Sequence, residues 1–348
     1  MSTNGTCVKM ADIERRLRRI RNINRFIRVD RRFFKDRSNP LEVLSRDEVR
    51  ERYRFFPETI VYICGLLDLA RPTQRSQPLT ALLTTLVSLH YFATNCHHIV
   101  TADLHGVSRS SVSRAVSQFT DQLCGRMQDF IPFPEDKQAC QRQFFNIAGF
   151  PNVVGVVDGT QIRIQGPTEH EEDYVNRKGF HSINVQMICD ARFMILDVVA
   201  KWPGSVHDSR IFRDSEVGGR LERGEIDGLL LGDSGYPCRK YLMTPYHAPQ
   251  THAQERFNES LCKTRVVVEQ SFGVMKRRFP CLSYGLRVSP PRACKITVSC
   301  VILHNIGIQR NDIYARVVEV ANQQPEVLYD GPGTGNHYRD FLANAFFA

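Results

Sequence analysis

The stretch Leu229–Pro237, LLLGDSGYP, decides how the rest of the chain is interpreted. Three aliphatic residues followed by Gly232 are typical of an interior strand that is covered on both faces and ends at a turn. Asp233 then stands where the strand leaves the core. Taken alone, the stretch is explained equally well by a simple strand stop in which Asp233, Ser234 and Gly235 are turn residues.

A second aspartate follows an apolar run in NVVGVVDGTQIRIQGP, residues 152–167. The valines predict a buried strand, and Asp158-Gly159 predicts a turn into a returning strand. Asp158 therefore also lies at a predicted strand end, although Asp-Gly is a common hairpin turn without any further role. More strands are predicted in SINVQMICDARFMILDVVAKWPGS, with a turn at 190–192. Asp208 then opens a predicted helix, for which N-capping is the plain alternative.

A helix that carries a glutamate is predicted in TRVVVEQSFGVMKRRF, residues 264–279. Its apolar residues recur at helical spacing and would pack against the sheet. Glu269 lies beside that stripe, on the same edge as Arg265 and Lys276, so an i, i+4 salt bridge with Arg265 is the structural alternative. Two strand-end aspartates and a helical glutamate are the hard oxygen ligands that a two-metal phosphodiester enzyme requires, with Mg²⁺ or Mn²⁺ bound.

The segment from Leu79 to Leu123 predicts a helix-turn-helix. A long helix with an apolar stripe is followed by a short helix that Gly106 ends, and then by a helix that Ser108 caps. The exposed face of this last helix would present side chains suited to a major groove and its phosphates. These side chains are Arg109, Ser110, Ser113, Arg114 and Gln118. Most helix pairs of this kind touch no DNA, so the pattern favours DNA binding only modestly.

The net charge of +9 is concentrated near the N-terminus, where residues 13–37 hold eleven Arg or Lys against three acids, a local balance of +8. Phosphate binding is the first interpretation. A nuclear import signal, a membrane-surface helix and a solvated arm are alternatives. No apolar run approaches the roughly 18 residues of a membrane span. The eleven cysteines contain no C-x-x-C pair, and the adjacent side chains of 96–98, Cys-His-His, would point in different directions, so zinc is not favoured.

Composition changes divide the chain into five predicted parts. They are a basic N-terminal arm with helices at 1–78, a helix-turn-helix region at 79–130, a linker at 131–150, a catalytic domain at 151–310 and a tail at 311–348. The linker is inferred from the prolines of IPFPEDKQ, after which the sequence becomes rich in strands. The tail, DGPGTGNHYRDFLANAFFA, predicts a flexible glycine-rich spacer and a short amphipathic docking segment, or else a frayed end.

An ordered set of phrases gives the chain a resemblance to a known family. The phrases VVDGTQI, YVNRKGFHSINVQ, WPGSVHDSRIF, LLGDSGYP, YLMTPY, VVVEQSFGVMKRRFPCL and ILHNI, in this order, resemble those of the PIF/Harbinger transposases, from RPTQRS at Arg71 to about residue 310. The resemblance implies an α/β fold: a ribonuclease-H-like DDE catalytic domain with a mixed five-stranded sheet and flanking helices, preceded by an all-α helix-turn-helix region. It further implies that Asp158, Asp233 and Glu269 are catalytic and hold two divalent ions, Mg²⁺ or Mn²⁺. Asp208 falls in a matching phrase and is carried as an additional ligand or supporting residue.

The resemblance also implies a function and its partners. The family cuts DNA at transposon ends and joins the free 3′-hydroxyl to target DNA, and Lys276 and Arg277, with Arg278, would hold DNA phosphate. Family members commonly act with a Myb-like DNA-binding partner, and a homodimer or larger assembly is expected by analogy. Double-stranded DNA is thus the expected substrate, the nucleus and also the cytoplasm the expected location, and no membrane is involved. The alternative is a domesticated DNA-binding or adaptor protein that keeps the fold and does not cut.

Overall fold

A computed structural model describes residues 39–69, 79–133, 136–313 and 334–348. The predicted basic segment at 13–37 and the RPTQRS phrase lie outside the described residues. Within the described ranges, no helix combines the length and the apolar character that crossing a membrane requires.

Helices precede and surround a central group of strands. The helices are α1 (Pro40–Val43), α2 (Arg46–Tyr53), α3 (Pro57–Leu66), α4 (Ala81–Thr94), α5 (His98–His105), α6 (Arg109–Cys124), α7 (Met127–Phe130), α8 (Lys137–Ala148), α9 (Asp208–Arg213), α10 (Glu216–Glu222), α11 (His252–Arg278), α12 (Cys281–Tyr284), α13 (Pro290–Gln309) and α14 (Gly335–Phe346). The strands are β1 (Val153–Arg163), β2 (Ser182–Cys189), β3 (Ile195–Pro203), β4 (Leu229–Leu231) and β5 (Leu242–Met243), and a 3₁₀ turn spans Glu171–Tyr174.

The five strands form one mixed sheet in the order β3-β2-β1-β4-β5. β2 is antiparallel to both β1 and β3, whereas β4 is parallel to β1 and to β5. Every residue of β2 and β4 is buried, as expected for strands covered on both faces. A large cluster covers the face that carries α11 and α13, and a smaller one covers the face with α9 and α10. The predicted fold class is confirmed.

The predicted turn at Asp158-Gly159 is wrong. β1 runs for eleven residues straight through both positions, and Asp158 and Gly159 pair with Met187 and Gln186 of β2. The turn lies instead at Asp190, as predicted, where the carboxylate accepts the backbone N–H of Arg192. Gly159 is therefore in the strand for a reason other than turn formation, and the functional site supplies one.

The helix-turn-helix forms where the sequence predicts it. α5 ends at Gly106, which has a φ of 62°, and the hydroxyl of Ser108 accepts the N–H of Ser111 at the start of α6. The predicted apolar face of α6 is buried, including Val112 and Phe119. This region shares one apolar cluster with the strands of the sheet.

Most of the predicted linker is a packed helix. α8 contacts β1, and the thiol of Cys140 donates to the carbonyl of Val154 across 3.3 Å. Phe144 is completely buried. The residues that were interpreted as a linker cover the first strand. They are therefore packed on the sheet and do not separate it from the preceding helices.

The predicted docking segment of the tail is also ordered. α14 packs against α11 and β5 of the same chain, and Phe347 lies 5.4 Å from Phe150 and 5.6 Å from Phe257 between ring centroids. The predicted amphipathic segment therefore packs on the chain's own core through its apolar face. The predicted glycine-rich spacer lies mostly outside the described residues.

Candidate functional site

Asp158 and Asp233 lie at matching positions along two adjacent parallel strands, Asp158 within β1 and Asp233 just beyond the end of β4. Val156 of β1 pairs with Leu231 of β4, and each aspartate follows its member of that pair by two residues. Neighbouring strands are about 4.8 Å apart, so the two carboxylates are close enough for each charge to affect the other. The charge of Asp233 indeed contributes to raising the pKa of Asp158.

The Asp158 carboxylate is mostly withdrawn from solvent, with 17% of its side chain exposed. One oxygen accepts the N–H of Gly159 at 2.8 Å, and the other lies 3.4 Å from an Nη atom of Arg265. Burial raises the pKa of Asp158 to about 6 against the opposing charge of Arg265, and both Asp233 and Asp208 raise it further. The site therefore holds more negative charge than its one arginine balances.

Asp208 reaches the site from the other side of β1. Successive side chains of a strand point to opposite faces, and a Cβ added at Gly159 would meet Asp208 Oδ1 at 2.3 Å. The same oxygen accepts Asn184 Nδ2 at 2.7 Å. Burial is the largest influence on the Asp208 pKa and raises it, while the hydrogen bond from Asn184 lowers it. Asp208 opens α9 as predicted, but its carboxylate binds Asn184 and does not cap the helix.

Glu269 is exposed on α11, between two basic residues that reach β1. Arg265 contacts Asp158, and Lys276 Nζ donates to Thr160 Oγ1 at 2.6 Å. At 3.6 residues per turn, Glu269 is rotated about 40° from Arg265 and about 20° from Lys276, so all three occupy one edge of the helix. The alternative salt bridge with Glu269 is not formed in the described structure, because Arg265 pairs with Asp158.

The four predicted acids do not converge as one metal-binding group. Over the described ranges, no set of three or more His, Cys, Asp or Glu side chains is placed to hold an ion. Arg265 covers one oxygen of Asp158, Asp208 lies across the strand, and Glu269 faces solvent. The chemistry of the donors nevertheless fits a hard divalent cation, because carboxylates that repel one another are stabilised when a cation lies between them.

The predicted DNA-contacting residues have three different environments. Arg109, Ser110 and Arg114 are exposed at the start of α6, and Arg277 is exposed on α11. Ser113 is not free to contact a base edge, because Arg292 of α13 donates to its carbonyl at 2.8 Å and to its hydroxyl at 3.4 Å. Arg278 is 1% exposed and donates to the carbonyl of Asp312, so it is unavailable to DNA.

Sequence reasoning missed the polar residues that support the acids. Asn184 and Gln186 lie on one face of β2; Asn184 holds Asp208, and Gln186 accepts the hydroxyl of Tyr236 at 3.3 Å. Burial raises the pKa of Tyr236, and all three aspartates add to this effect. A signal was present in SINVQMIC, where two amides alternate within an otherwise apolar strand.

Comparisons with known proteins show which family the chain is similar to. The pattern of the family described as DDE superfamily endonuclease matches residues 157–305. "Putative nuclease HARBI1" of Homo sapiens is 36% identical over 295 residues, covering 82% of this chain and 84% of the relative. The Bos taurus protein of the same description is 36% identical over 301 residues, covering 83% and 86%. "Protein ALP1-like" of Arabidopsis thaliana is 28% identical over 287 residues, covering 75% and 70%. No solved structure matches the chain.

Proposed function

The chain belongs to the DDE superfamily endonucleases, among the Harbinger-derived nucleases, and from this premise we propose that it cuts DNA with divalent ions held by Asp158 of β1 and Asp233 beyond β4. The observation that carries the proposal is that Asp158 and Asp233 each follow, by two residues, one member of the pair Val156–Leu231 that joins the parallel strands β1 and β4. The fold itself brings these two acids together, although they are 75 positions apart in the sequence.

Each acid has a distinct part in this proposal. Asp158 and Asp233 would hold the ions from the sheet, and Glu269 would complete the catalytic set from α11. Asp208 is assigned a supporting role beside them, as an additional ligand or through its contact with Gly159. Asp158, Asp233 and Glu269 would hold divalent ions that, when bound, would activate the attacking oxygen and stabilise the leaving one.

The basic residues of α11 would position the DNA. Arg265 partly neutralises Asp158 until an ion or a phosphate enters, and its side chain must then withdraw from the carboxylate. Lys276, held at Thr160, stands two residues along β1 from Asp158, which corresponds to about 7 Å of strand. Lys276 and Arg277 are therefore suited to holding the phosphates that flank the cut bond.

The finer activities of the family are also part of the proposal. The same site would cut transposon ends and then join the 3′-hydroxyl to target DNA, since both steps are in-line displacements at phosphorus that need no protein nucleophile. The exposed Arg109, Ser110 and Arg114 support double-stranded DNA binding at α6. A Myb-like partner, a homodimer or larger assembly, and a nuclear as well as cytoplasmic location rest on the family resemblance and on the basic segment at 13–37.

The first test is nicking of supercoiled plasmid by the purified chain in Mg²⁺ or Mn²⁺. Asp233→Asn and Glu269→Gln should each reduce nicking by at least about a hundredfold, because each removes a charged ligand without changing side-chain size. Glu259→Gln is the matched control, since Glu259 is an exposed glutamate on the same helix and pairs with Lys263. Gel separation of supercoiled and open-circular plasmid measures the rate.

The alternative is a DNA-binding or adaptor protein that does not cut. The Arg265–Asp158 contact favours it, because an arginine now occupies the oxygen that an ion would need. Equal nicking by wild type and both variants would contradict the assignment of the acids. A folded wild-type chain that binds plasmid DNA and leaves it uncut in both metals would support the adaptor.

A further inference from the structure

A groove lies next to the acids, and of its lining residues only Lys276 has a part in the chemistry described above. It has a volume of about 480 Å³ and is lined by Gln161, Arg163, Phe180, Lys276, Leu282, Ser283 and Tyr284. Gln161 and Arg163 continue β1 beyond Asp158, so the groove begins where the catalytic part of the strand ends.

Tyr284 gives this groove an unusual exposed ring. It is 74% exposed, the largest exposed fraction among the large apolar residues of the described structure. The ring therefore adds little to the core, and its face is accessible to a ligand that stacks on it.

The backbone that carries Tyr284 is fixed. Leu286 donates its N–H to the carbonyl of Arg163 at 2.9 Å and accepts the N–H of Gln165 at 3.0 Å, which extends β1 by a short parallel bridge. Asn95 donates to the carbonyl of Gly285 at 2.8 Å. The ring is thus presented from a rigid support, and binding a flat partner would cost little ordering of the backbone.

The groove is positively charged around the ring. The guanidinium of Arg163 lies 4.3 Å from the centroid of Phe180, and Lys276 lies against Thr160. No ion pair in the described structure joins Arg163, Lys178 or Lys276 to a carboxylate. Burial lowers the pKa of Lys276, and the charge of Lys178 lowers it further, so a second cation lies close enough to Lys276 to affect it.

We propose that this groove holds an unpaired DNA strand next to the scissile bond, with one base stacked on Tyr284 and the adjoining phosphate on Lys276. Exposed aromatic rings interleaved with basic residues are the features by which proteins hold single strands without reading their sequence. A duplex keeps its base faces covered, so a ring at the end of the groove favours a frayed or single-stranded flank. The inference rests on the proposed function, since it assigns a part of the same DNA substrate.

The test measures DNA binding without added metal, so that cutting cannot interfere. Fluorescence anisotropy compares the full chain on a blunt duplex and on the same duplex with a four-nucleotide single-stranded extension that carries 2-aminopurine. We expect the extension to improve binding and the 2-aminopurine to be quenched by stacking.

The variants test the role of the ring. Tyr284→Ala should weaken binding of the extended DNA about tenfold and leave the affinity for the blunt duplex unchanged. Tyr284→Phe keeps the ring and should behave as wild type. Tyr62→Ala, a change of a partly exposed tyrosine on α3, is the control.

Each outcome decides something. Loss of the preference and of quenching in Tyr284→Ala alone supports the groove. Equal affinity of wild type for both DNAs, or quenching that survives in Tyr284→Ala, overturns the groove and leaves the proposed nuclease intact. A wild-type chain that binds neither DNA overturns both proposals.

Discussion

At the scale of single residues, Gly159 explains how Asp208 comes close to the strand that carries Asp158. Asp158 faces α11 and Gly159 faces α9, and the missing side chain at 159 provides the space that Asp208 occupies. A β-branched residue would suit the strand better, so the glycine is explained by the approach of a carboxylate rather than by backbone conformation.

Gly159→Ala should therefore displace Asp208. The added Cβ would stand 2.3 Å from Oδ1 and 2.6 Å from Cγ, which would break the hydrogen bond from Asn184. We expect a loss of about 1 to 3 kcal/mol in the free energy of unfolding, measured with urea, and slower nicking.

Gly273→Ala is the matched control for this change. A Cβ at Gly273 would meet nothing within 4 Å, and the residue lies inside α11. The substitution should stabilise the helix by roughly 0.5 to 1 kcal/mol. Unchanged stability and unchanged nicking in Gly159→Ala would show that Asp208 is free to move and is not required where it stands.

The candidate acids were visible in the sequence, but their partners were not. A carboxylate that ends or interrupts an apolar run can be seen in a sequence, and so Asp158 and Asp233 were selected as candidates. Arg265 could pair with Glu269, four residues along its own helix, or with Asp158 on a distant strand. Which carboxylate it contacts depends on distances in the folded chain. Helical periodicity carries no information about those distances.

At the scale of elements, helix α14 shows that a local sequence pattern does not indicate which surface an amphipathic helix packs on. Its amphipathic sequence was visible, yet the same pattern suits docking on a partner and docking on the chain's own core. In the structure the helix docks on the chain's own core, because the rings of Phe150, Phe257 and Phe347 form one contact cluster. Likewise, the prolines at 132 and 134 led to a predicted linker, and they did not indicate that most of its residues form α8.

Phe347→Ala tests whether this helix stabilises the catalytic layer. The ring is 5% exposed, and removing it from the cluster should lower the free energy of unfolding by about 3 kcal/mol. Asn344→Ala, at an exposed position on the same helix, should leave stability nearly unchanged. Urea denaturation followed by circular dichroism measures both, and equal midpoints would mean that α14 does not contribute to the core.

At the scale of the whole molecule, the helix-turn-helix and the nuclease layer share one core. α6 packs against α13, where Arg292 binds Ser113 and Lys295 donates to Asp121 at 2.6 Å. α13 also contacts β3. The predicted boundary at 131–150 therefore does not separate the described parts mechanically. The composition indicated a change from helices to strands at this boundary. It could not indicate that α13, which follows the strands in the sequence, would pack against both α6 and β3.

His304, in the middle of α13, makes this shared core sensitive to acid. The side chain is 1% exposed, and Nε2 lies 2.8 Å from the carbonyl of Phe193, so Nε2 carries the proton of a neutral ring. Burial, with the charge of Arg278, lowers its pKa from 6.5 to about 4. The unfolded chain binds a proton near pH 6.5 and the folded chain only near pH 4, so stability is complete above pH 6.5 and is lost as the pH falls toward 4.

His304→Gln should remove much of this loss, because the amide N–H can still donate to Phe193 and cannot be protonated. We expect its free energy of unfolding to fall by roughly 1 to 3 kcal/mol less than that of wild type between pH 6.5 and 4. His247→Gln, at an exposed position, should follow the wild-type curve. Urea midpoints at four pH values measure the difference. A His304→Gln curve as steep as wild type would shift the acid sensitivity to His90, whose pKa burial also lowers to about 4, and thus from the shared helix to the helix-turn-helix region.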